Sequence, residues 1–520
     1  MALHAFHGGL RLPGHKTHAG AIRPGPVADT LWLPLQQHAG AANRPLVSVG
    51  ERVNAGQAVA APDNDDGRLG AWLHAPCDAE VVAIEDRELP SNPAIRAPTL
   101  VLRRMAGSDA GADAGAASMP PIADWCEQPS AVLLQRLAEA GVAGLGGAVF
   151  PSADKLSVRR QTLIVNGAEC EPYIACDDAL LRERSDRVIH GALLLAHIAG
   201  AEHILLAIED RMQDALAAAA TAIANHGDER IELRAVPTIY PEGGERQLIQ
   251  TLTGKQVPRG GLPRDIGVIV QNVGTAAAAW AAVVEGRPLT TRLVSVAGDG
   301  VRAAGTFEVA IGTPVSEVVA AAGGYSDRAA RLIIGGPMMG VALPHDEFPI
   351  TKAANCVLVP SEAELGERRP EMPCIRCGEC ARVCPASLLP QQLLAFARGE
   401  QWERLQQHGV TDCIECGCCD LVCPSSIPLA EHFRWGKAML RQRQRDASKA
   451  EGAKERHDAR QLRIEQEQAE RAARRQKAAA PDAVAAALAR AKAKATAAKT
   501  VESETSDSES THTDSREDGA

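Results

Sequence analysis

Residues 374–385 read Cys374-Ile-Arg-Cys377-Gly-Glu-Cys380-Ala-Arg-Val-Cys384-Pro385, which is the spacing C-x₂-C-x₂-C-x₃-C-P. The same spacing returns at Cys413-Ile-Glu-Cys416-Gly-Cys418-Cys419-Asp-Leu-Val-Cys423-Pro424. Because the N-terminus lacks the continuous apolar core of a signal peptide, we expect the chain to stay in the cytoplasm, where thiols are kept reduced. Such a density of thiols then indicates metal binding rather than a disulfide framework.

Two tandem copies of this spacing are typical of bacterial ferredoxin domains that hold two [4Fe–4S] clusters. Three cysteines of each copy wrap one cluster from a single loop, and the fourth reaches the other cluster. The predicted ligands are Cys374, Cys377, Cys380 and Cys423 for one cluster, and Cys413, Cys416, Cys419 and Cys384 for the other. A zinc site is the alternative, but zinc takes four ligands, usually as two separated pairs, so the tandem pattern favours clusters. Cys418 is interpreted as a bystander.

Length and composition limit what the rest of the chain can be. At roughly 150 residues per domain, 520 residues correspond to about three to four domains. An apolar fraction of 45% is that of a globular protein, and a formal net charge of −10 argues against nucleic acid as a partner. The most apolar stretch, 268–284, is interrupted by polar residues, so we predict no transmembrane segment.

The sequence predicts a multidomain α/β protein. Val-rich runs with Gly, Asn and Pro turns predict an N-terminal β-sandwich over 1–86, similar to lipoyl carrier domains. A carrier role is the alternative, but the segment DNDDGRLGAW has no lysine to modify. Residues 87–128 are predicted to be a linker. Alternating apolar strands (TLIVNGAE, EHILLAIED and DIGVIVQNVG) and Ala/Leu-rich helices predict a doubly wound domain over 129–287.

Three segments follow that domain. Residues 288–345 predict a small mixed module, similar to the soluble-ligand-binding β-grasp module, and 365–440 form the ferredoxin-like helical domain with two clusters. Residues 441–520 are predicted to be a charged helix followed by a disordered acidic tail. Because the helical part carries a net positive charge, contact with anionic lipid or an acidic partner is the alternative to a solvated helix.

A glycine-rich loop runs from Gly141 to Lys155 with the sequence GVAGLGGAVFPSADK. Glycines let backbone N–H groups approach a phosphate closely, and a lysine adds charge to the contact. A tight structural turn is an equally good interpretation of the loop alone. Polar clusters (NGAECEPY, YPEGGE and NVGT) follow the predicted strands, at the strand ends where α/β folds bind ligands. Together these features indicate a redox cofactor of nucleotide type.

Over about residues 1–440 the chain is similar to the RnfC family, the C subunits of the Rnf (Rsx) ion-translocating oxidoreductases. The motifs that carry the resemblance are GVAGLGGAVFPSADKL, NGAECEPY, YPEGGERQLI, LTGKQVP, QNVGTA, GGPMMG and the two cysteine runs. The second domain is similar in turn to the flavin-carrying subunit of respiratory complex I. That resemblance implies FMN and its phosphate at Gly144, Gly146, Gly147 and Lys155, with Phe150 stacking on the dinucleotide. It further implies that the flavin and NADH pocket is lined by Asn166, Glu169, Glu171, Tyr240, Gly243, Gly244, Glu245, Asn272 and Thr275.

Two departures from the family pattern stand out. Family loops read GLGGAGFPT, whereas Val149 and Ser152 stand here in place of that Gly and Thr. A β-branched residue adopts positive φ only with strain, so reduced flavin or NADH affinity is expected. The family pattern GGIHPP is replaced by GGLRLPGHK near the N-terminus.

The resemblance implies a peripheral electron-transfer subunit on the cytoplasmic side of the bacterial inner membrane. NADH would reduce FMN, and the two clusters would exchange electrons with the other subunits of an ion-translocating complex, with ferredoxin as an indirect partner. Two other functions stay open. One is an iron–sulfur relay and docking subunit without flavin, and the other is a free-standing NADH dehydrogenase that reduces a ferredoxin.

Overall fold

The computed structural model of the chain describes residues 3–16, 20–63, 70–107, 118–367 and 369–504. The chain forms two compact units, Met1–Lys437 and Ala438–Ala520. The first unit contains three sheet-based domains and the cysteine-rich domain, and the second is helical.

The described part of residues 3–104 contains eight strands, and all of them except the first form a sandwich. The strands are β1 (Ile22–Pro24), β2 (Thr30–Pro34), β3 (Arg44–Pro45), β4 (Arg52–Val53), β5 (Ala58–Ala61), β6 (Leu73–His74), β7 (Ala79–Leu89) and β8 (Asn92–Arg104). One sheet has the order β2-β8-β7-β4 and the other β3-β5-β6. Apolar side chains such as Leu31, Val81 and Leu102 fill the space between them. The predicted β-sandwich is therefore present.

The predicted linker over 87–128 is wrong in its first part. Residues 87–104 hold the end of β7 and all of β8, which pairs with β2 and β7. Leu100 and Leu102 are buried in the core, so this segment belongs to the sandwich, and the Ala/Gly-rich composition begins only after it. Residues 108–117 lie outside the described part, as do residues 64–69 of the segment considered for a carrier role.

The second domain is a parallel sheet with helices. Its elements are α1 (Ser130–Glu139), α2 (Ser152–Leu156), β9 (Thr162–Gly167), α3 (Cys176–Ala199), β10 (His203–Glu209), α4 (Gln213–His226), β11 (Ile231–Val236), α5 (Glu245–Thr253), β12 (Val268–Asn272) and α6 (Val273–Val283). Short 3₁₀ turns occupy Trp125–Glu127 and Pro263–Ile266. The strand order is β11-β10-β9-β12, with all pairs parallel. Three of the strands were predicted. The fourth, β11, lies at an edge, where polar side chains interrupt its apolar pattern.

Small residues explain how this domain forms a core with few aromatic side chains. A Cβ atom added to Gly191 of α3 would lie 2.0 Å from the carbonyl oxygen of Ala276 in α6, so the two helices touch backbone to backbone. Around that contact the helices bury Ala and Leu side chains against the sheet. The sheet and α6 together fix the strand ends that carry the polar motifs.

The third domain is a mixed sheet with one helix. It contains β13 (Thr291–Ala297), β14 (Gly305–Ala310), α7 (Val315–Ala321), β15 (Leu332–Ile334), β16 (Val341–Leu343) and β17 (Cys356–Leu358). The strand order is β1-β14-β13-β17-β15-β16. The predicted boundary at 345 is therefore too early, because β17 lies in the centre of this sheet and Phe348 and Ile350 are buried in its core. β1 shows that residues 22–24 also belong here rather than to the sandwich.

The cysteine-rich domain is built from short helices. α8 (Glu362–Leu365) precedes them and contacts the third domain, where its Glu364 accepts from Asp299 N at 2.8 Å. The helices of the cysteine-rich domain are α9 (Glu379–Arg382), α10 (Pro390–Arg398), α11 (Trp402–Gln407), a 3₁₀ turn at Val410–Asp412 and α12 (Cys418–Leu421). α9 and α12 each begin directly after a glycine with positive φ, Gly378 and Gly417. Each therefore starts within one of the two cysteine repeats.

The remaining chain is helical as far as the structure describes it. α13 runs over Leu429–Ala479 and α14 over Pro481–Glu504, in agreement with the predicted charged helix. Residues 505–520, which include most of the predicted acidic tail, lie outside the described residues. Within the described ranges, every helix is too short or too polar to cross a membrane.

Candidate cofactor sites

The first candidate site lies where β9 and β12 end. These neighbouring parallel strands pair Asn166 with Asn272, so both amide side chains reach the same edge of the sheet. Asn272 also caps α6, because its Oδ1 accepts a hydrogen bond from Gly274 N at 2.8 Å. Its Nδ2 donates to a carboxylate oxygen of Asp177 at 2.6 Å, which joins the start of α6 to the start of α3.

The glycine-rich loop folds over this edge as a tight turn. Gly144 N donates to Phe150 O at 2.8 Å, and Leu145 N donates to the hydroxyl of Thr275 at 2.8 Å. Gly146 and Gly147 are exposed, and Gly147 has φ 106°, which only glycine adopts readily. Within the described part of the chain, the N–H groups of these two glycines make no hydrogen bond. They are available to a phosphate, so the loop fits the group predicted for it.

Two further contacts bring predicted residues together at the same edge. Nζ of Lys155 lies 2.5 Å from Oε1 of Glu245, the first residue of α5. Nδ2 of Asn166 donates to Gly243 O at 2.9 Å. A Cβ atom on Gly243 would lie 2.3 Å from Ala168 O, so only glycine allows this approach. The same sheet edge therefore brings together the glycine loop, the start of α5, the ammonium of Lys155 and the amides of Asn166 and Asn272.

Three other predicted residues direct their polar atoms elsewhere. Glu169 accepts from Asp177 N at 2.9 Å and so caps α3. Glu171 accepts from the N–H groups of Met338 and Met339, at 2.9 and 3.0 Å, and holds the GGPMMG turn of the third domain. The hydroxyl of Tyr240 donates to the carbonyl oxygen of Cys416 at 2.7 Å.

Two predicted residues bring no polar side chain to this edge. The side chain of Phe150 is 44% exposed, which leaves its ring available to a dinucleotide. Gly244 is the residue before α5, and its neighbour across the turn is the side chain of Gln247.

Val149 adopts the backbone conformation that is strained for a β-branched residue. Its φ is 42°, in the left-handed region that favours glycine. Its carbonyl accepts from Ala39 N at 3.0 Å and its N–H donates to Gly144 O at 3.1 Å, so the turn and the sandwich hold it there. The loop thus holds a β-branched residue at positive φ, at the cost of strain.

Sequence reasoning missed the charged residues behind the loop. Lys16, from the segment before the sandwich, contacts both the carbonyl and the carboxylate of Glu169, with 3.5 Å to Oε2. Burial raises the pKa of Asp177 to about 7, an effect that the neighbouring Glu169 reinforces and Arg292 opposes. Lys16 ends the segment GGLRLPGHK, to which the sequence assigns no role, and no local motif marks Arg292. Both residues reach the site from other parts of the chain through tertiary contacts.

The cysteines surround two separate cavities. One cavity is lined by Cys374, Cys377, Cys380 and Cys423, and the other by Cys384, Cys413, Cys416 and Cys419. These are the two quartets that the ferredoxin spacing predicts, with the fourth cysteine exchanged between repeats. Four thiols around one small space match the ligand set of a [4Fe–4S] cluster. Cys418 is buried beside the second cavity.

Comparison with protein families assigns a description to each domain. Residues 4–104 match the RnfC barrel sandwich hybrid domain, and residues 137–281 match the Nuo51 FMN-binding domain. Residues 293–342 match the SLBB domain, and residues 372–427 match the 4Fe-4S dicluster domain. The sandwich match ends at the last residue of β8, which agrees with the corrected boundary.

The likeness to one solved structure is distant. An NAD⁺-reducing [NiFe]-hydrogenase in the air-oxidized state is 24% identical, with a TM-score of 0.42, over 55% of this chain and 57% of that one.

Several relatives that match most of this chain are named as the C subunit of the ion-translocating oxidoreductase complex. The Pseudomonas aeruginosa protein is 48% identical over 91% of this chain, which spans 60% of that protein's length. The Citrobacter koseri protein is 42% identical over 92% of this chain and 67% of its own length. The Yersinia pestis protein is 42% identical over 91% of this chain and 75% of its own length. The chain therefore belongs to the RnfC family, the C subunits of ion-translocating oxidoreductase complexes.

Proposed function

We propose that the chain is a peripheral electron-transfer subunit of a membrane-bound ion-translocating oxidoreductase complex. It would pass electrons between NADH, through FMN, and two [4Fe–4S] clusters to partner subunits. The observation that carries the proposal is the occurrence, in one compact unit, of an exposed glycine loop with free N–H groups and two cavities that are each lined by four cysteines.

The residues at the glycine loop would hold FMN by its phosphate and its ring. The N–H groups of Gly146 and Gly147 and the ammonium of Lys155 would bind the phosphate, while Asn166 and Asn272 present amides at the strand ends. Bound FMN would supply the conversion between two-electron and one-electron chemistry, in which a hydride taken from NADH would leave NAD⁺, two electrons for the two clusters and a proton for water.

The protein's own contribution is to fix these groups relative to one another. Thr275 and Ala39 hold the glycine loop by its backbone, and Asn272 holds α3 and α6 at one edge. Glu169, which caps α3, and Lys16 place opposite charges behind that edge. Hydrogen bonds therefore hold the loop and the two helices in place before any ligand binds, which lowers the entropic cost of binding.

The same proposal gives the chain partners and a location. Its partners would be the membrane subunits of the complex, with ferredoxin reached through them, and its place would be the cytoplasmic side of the inner membrane. The family name and the cysteine quartets support a role within a complex. Cell fractionation with and without the neighbouring subunits tests the location, since the chain should leave the membrane fraction when those subunits are removed.

The electron-entry function is tested on the full chain, purified anaerobically with reconstituted clusters. FMN is added, then NADH, and the visible absorbance of the clusters is followed. Bleaching that depends on both FMN and NADH supports the proposal. Clusters that respond to dithionite but not to NADH, in a chain that retains no flavin, would contradict it.

One observation favours a second candidate, a relay without flavin. Val149 sits in the loop at φ 42° with its side chain half-buried. A β-branched side chain at this place takes up space that glycine leaves to a ligand. Absence of FMN binding by a chain with intact clusters would favour this candidate.

A further inference from the structure

The two cysteine-lined cavities differ in their surroundings. We call the one formed by Cys384, Cys413, Cys416 and Cys419 the inner site and the one formed by Cys374, Cys377, Cys380 and Cys423 the outer site. Three of the four inner cysteines are buried, whereas Cys374 and Cys377 of the outer site are exposed. Ile375, between those two, is 68% exposed.

Tyr240 joins the inner site to the flavin-binding domain. Its hydroxyl donates to Cys416 O at 2.7 Å, and its ring is buried against Cys416 and Cys418. Its backbone pairs with Leu10 through two hydrogen bonds of 2.7 and 2.8 Å. We call the sheet edge at the ends of β9 and β12, with the glycine loop over it, the flavin edge. Tyr240 stands three residues before Gly243, whose carbonyl accepts the hydrogen bond of Asn166 at this flavin edge. One short loop therefore contacts both sites.

Helix α5 makes a second connection. Its first residue, Glu245, pairs with Lys155 at the flavin edge. Two residues later, Nε2 of Gln247 donates to the carbonyl oxygen of Pro385 at 3.3 Å, directly after the inner ligand Cys384. Flavin edge and inner site are thus contacted by the first turn of a single helix.

The N-terminal strap, residues 3–16, closes over the same junction. Gly9 N donates to Val383 O at 3.0 Å, and Nδ1 of His7 lies 3.0 Å from the carbonyl oxygen of Cys384. Gly8 has φ 74°, and a Cβ atom on it would lie 2.6 Å from the carbonyl of Val383. Only glycine lets the strap approach the inner site this closely.

The outer site has no comparable connection in the part of the chain that the structure describes. Hydrogen bonds at its loops stay inside the cysteine-rich domain: Met372 N donates to Ser425 O, and Ser425 Oγ donates to Pro373 O. The Sγ of Cys380 contacts Gln391 of α10. The outer site is therefore open to a partner rather than covered by the flavin-binding domain.

We infer that Tyr240 is a positioning residue that fixes the inner site against the flavin site, so that the inner site exchanges electrons with the flavin and the outer site faces the redox partner. The inference rests on the proposed function and adds to it the order in which electrons pass through the two sites. The rate of electron transfer falls steeply with distance. Electrons from the flavin should therefore reach first the inner site, which the loop from Tyr240 to Gly243 contacts. Hydrogen bonds and solvent exposure set cluster potentials, so the two sites should also differ in potential.

Tyr240→Phe tests the positioning role without any need for flavin. In the reconstituted full chain, reduced stepwise with dithionite and followed by electron paramagnetic resonance, we expect the potential and spectrum of one cluster to shift and those of the other to stay unchanged. Tyr325→Phe, which removes the hydroxyl of an exposed tyrosine paired with Asp346, is the matched control and should change neither cluster. Equal shifts of both clusters, or none, would overturn the positioning role.

Cysteine variants identify the cluster and test the order. In Cys374→Ala, which lacks the outer site, NADH with FMN should still reduce the inner cluster, and Tyr240→Phe should shift that cluster. In Cys413→Ala the outer cluster should respond to dithionite but lose its rapid reduction by NADH. Rapid reduction of the outer cluster in Cys413→Ala would overturn the order.

The two proposals fail in distinguishable ways. If NADH reduces no cluster in the unmodified chain with FMN, the proposed function fails, while the Tyr240→Phe shift still decides the positioning role. If Cys413→Ala keeps no cluster, the order is decided by Tyr240→Phe, in which NADH should reduce the inner cluster more slowly than in Tyr325→Phe. Equal rates in these two variants would contradict the inference.

Discussion

Nζ of Lys155 lies 2.5 Å from Oε1 of Glu245, although the two residues are 90 positions apart in the sequence. Lys155 comes from α2, next to the glycine loop, and Glu245 begins α5. Both side chains are partly exposed, so the pair contributes little to stability by itself. The position of the pair is informative, because the glycine loop and the YPEGGE motif, both predicted to bind the cofactor, meet there.

We predict that Lys155→Met weakens FMN binding. A hydrogen bond to a charged group is worth about 1.5–3 kcal/mol, which corresponds to roughly a 10- to 100-fold loss of affinity. Fluorescence quenching of FMN by the reconstituted chain measures this loss.

Riboflavin provides the control for that variant. Because it lacks the phosphate, its affinity should be unaffected by Lys155→Met. An equal loss for riboflavin and FMN would mean that Lys155 acts on the ring or on the loop and not on the phosphate.

Val149→Gly should strengthen FMN binding. Positive φ costs a non-glycine residue about 1–2 kcal/mol, and the greater flexibility of unfolded glycine offsets about 0.5–1 kcal/mol of the relief. Stability should therefore rise by no more than about 1.5 kcal/mol, while the loop gains room for a ligand. FMN titration checks the gain, with Val158→Gly at an exposed position as the control. Unchanged affinity in both variants would show that Val149 does not limit binding.

The burial of Lys352 leads us to expect that the free energy of unfolding rises with pH. Its Nζ is buried between the carbonyl oxygens of Trp72 and Gly141, at 2.7 and 2.6 Å, where the first three domains meet. Burial lowers its pKa from 10.5 to about 7. Between these two values the unfolded chain binds the proton and the folded chain does not, so the free energy of unfolding increases as pH rises, by at most about 1.4 kcal/mol per unit.

Urea unfolding at several pH values measures that slope. Lys352→Met should remove the slope contributed by this group and lower stability at high pH, because two carbonyl groups lose their donor. Lys255→Met, at an exposed position, should leave the slope unchanged. A slope that persists in Lys352→Met would assign the pH dependence to other groups.

Cys418 and Cys419 are neighbours with different predicted roles. Both are buried beside the inner cavity, but only Cys419 completes the ferredoxin spacing. Cys419→Ala should lose about half of the bound iron, whereas Cys418→Ala should keep all of it and lose only packing against Tyr240. Iron analysis after anaerobic reconstitution distinguishes them. Loss of iron in Cys418→Ala alone would reverse the assignment.

Local patterns predicted most of the architecture. The cysteine spacing placed eight thiols in two quartets, and the structure arranges the same quartets around two cavities. Alternation of apolar strands with Ala-rich helices predicted the parallel sheet, because buried parallel strands are apolar on both faces. Residues 87–104 were misassigned, because the Ala/Gly/Pro-rich segment after Arg104 obscured the apolar run that forms β8.

Contacts between domains could not be predicted in this way. Lys16 and Gln247 stand in the segments GGLRLPGHK and YPEGGERQLI, but no pattern there marks their contacts, and none marks His7. A single polar residue looks the same in sequence whether it faces water or a cofactor site. Glu169 and Tyr240 stand in predicted motifs, yet their polar atoms turn to the start of α3 and to Cys416. Which way a side chain turns depends on packing that only the folded chain supplies.

The sequence by itself determined the two cysteine repeats, the glycine loop and the order of the domains, because cysteine spacing, tight turns and strand periodicity depend on residues that are close along the chain. The tertiary structure alone decided which cluster site lies against the flavin edge. That choice depends on Tyr240, Gln247 and the N-terminal strap, which reach Cys416, Pro385 and Val383 across large sequence separations. Such contacts form when separate apolar surfaces are buried together, and no local pattern specifies their partners.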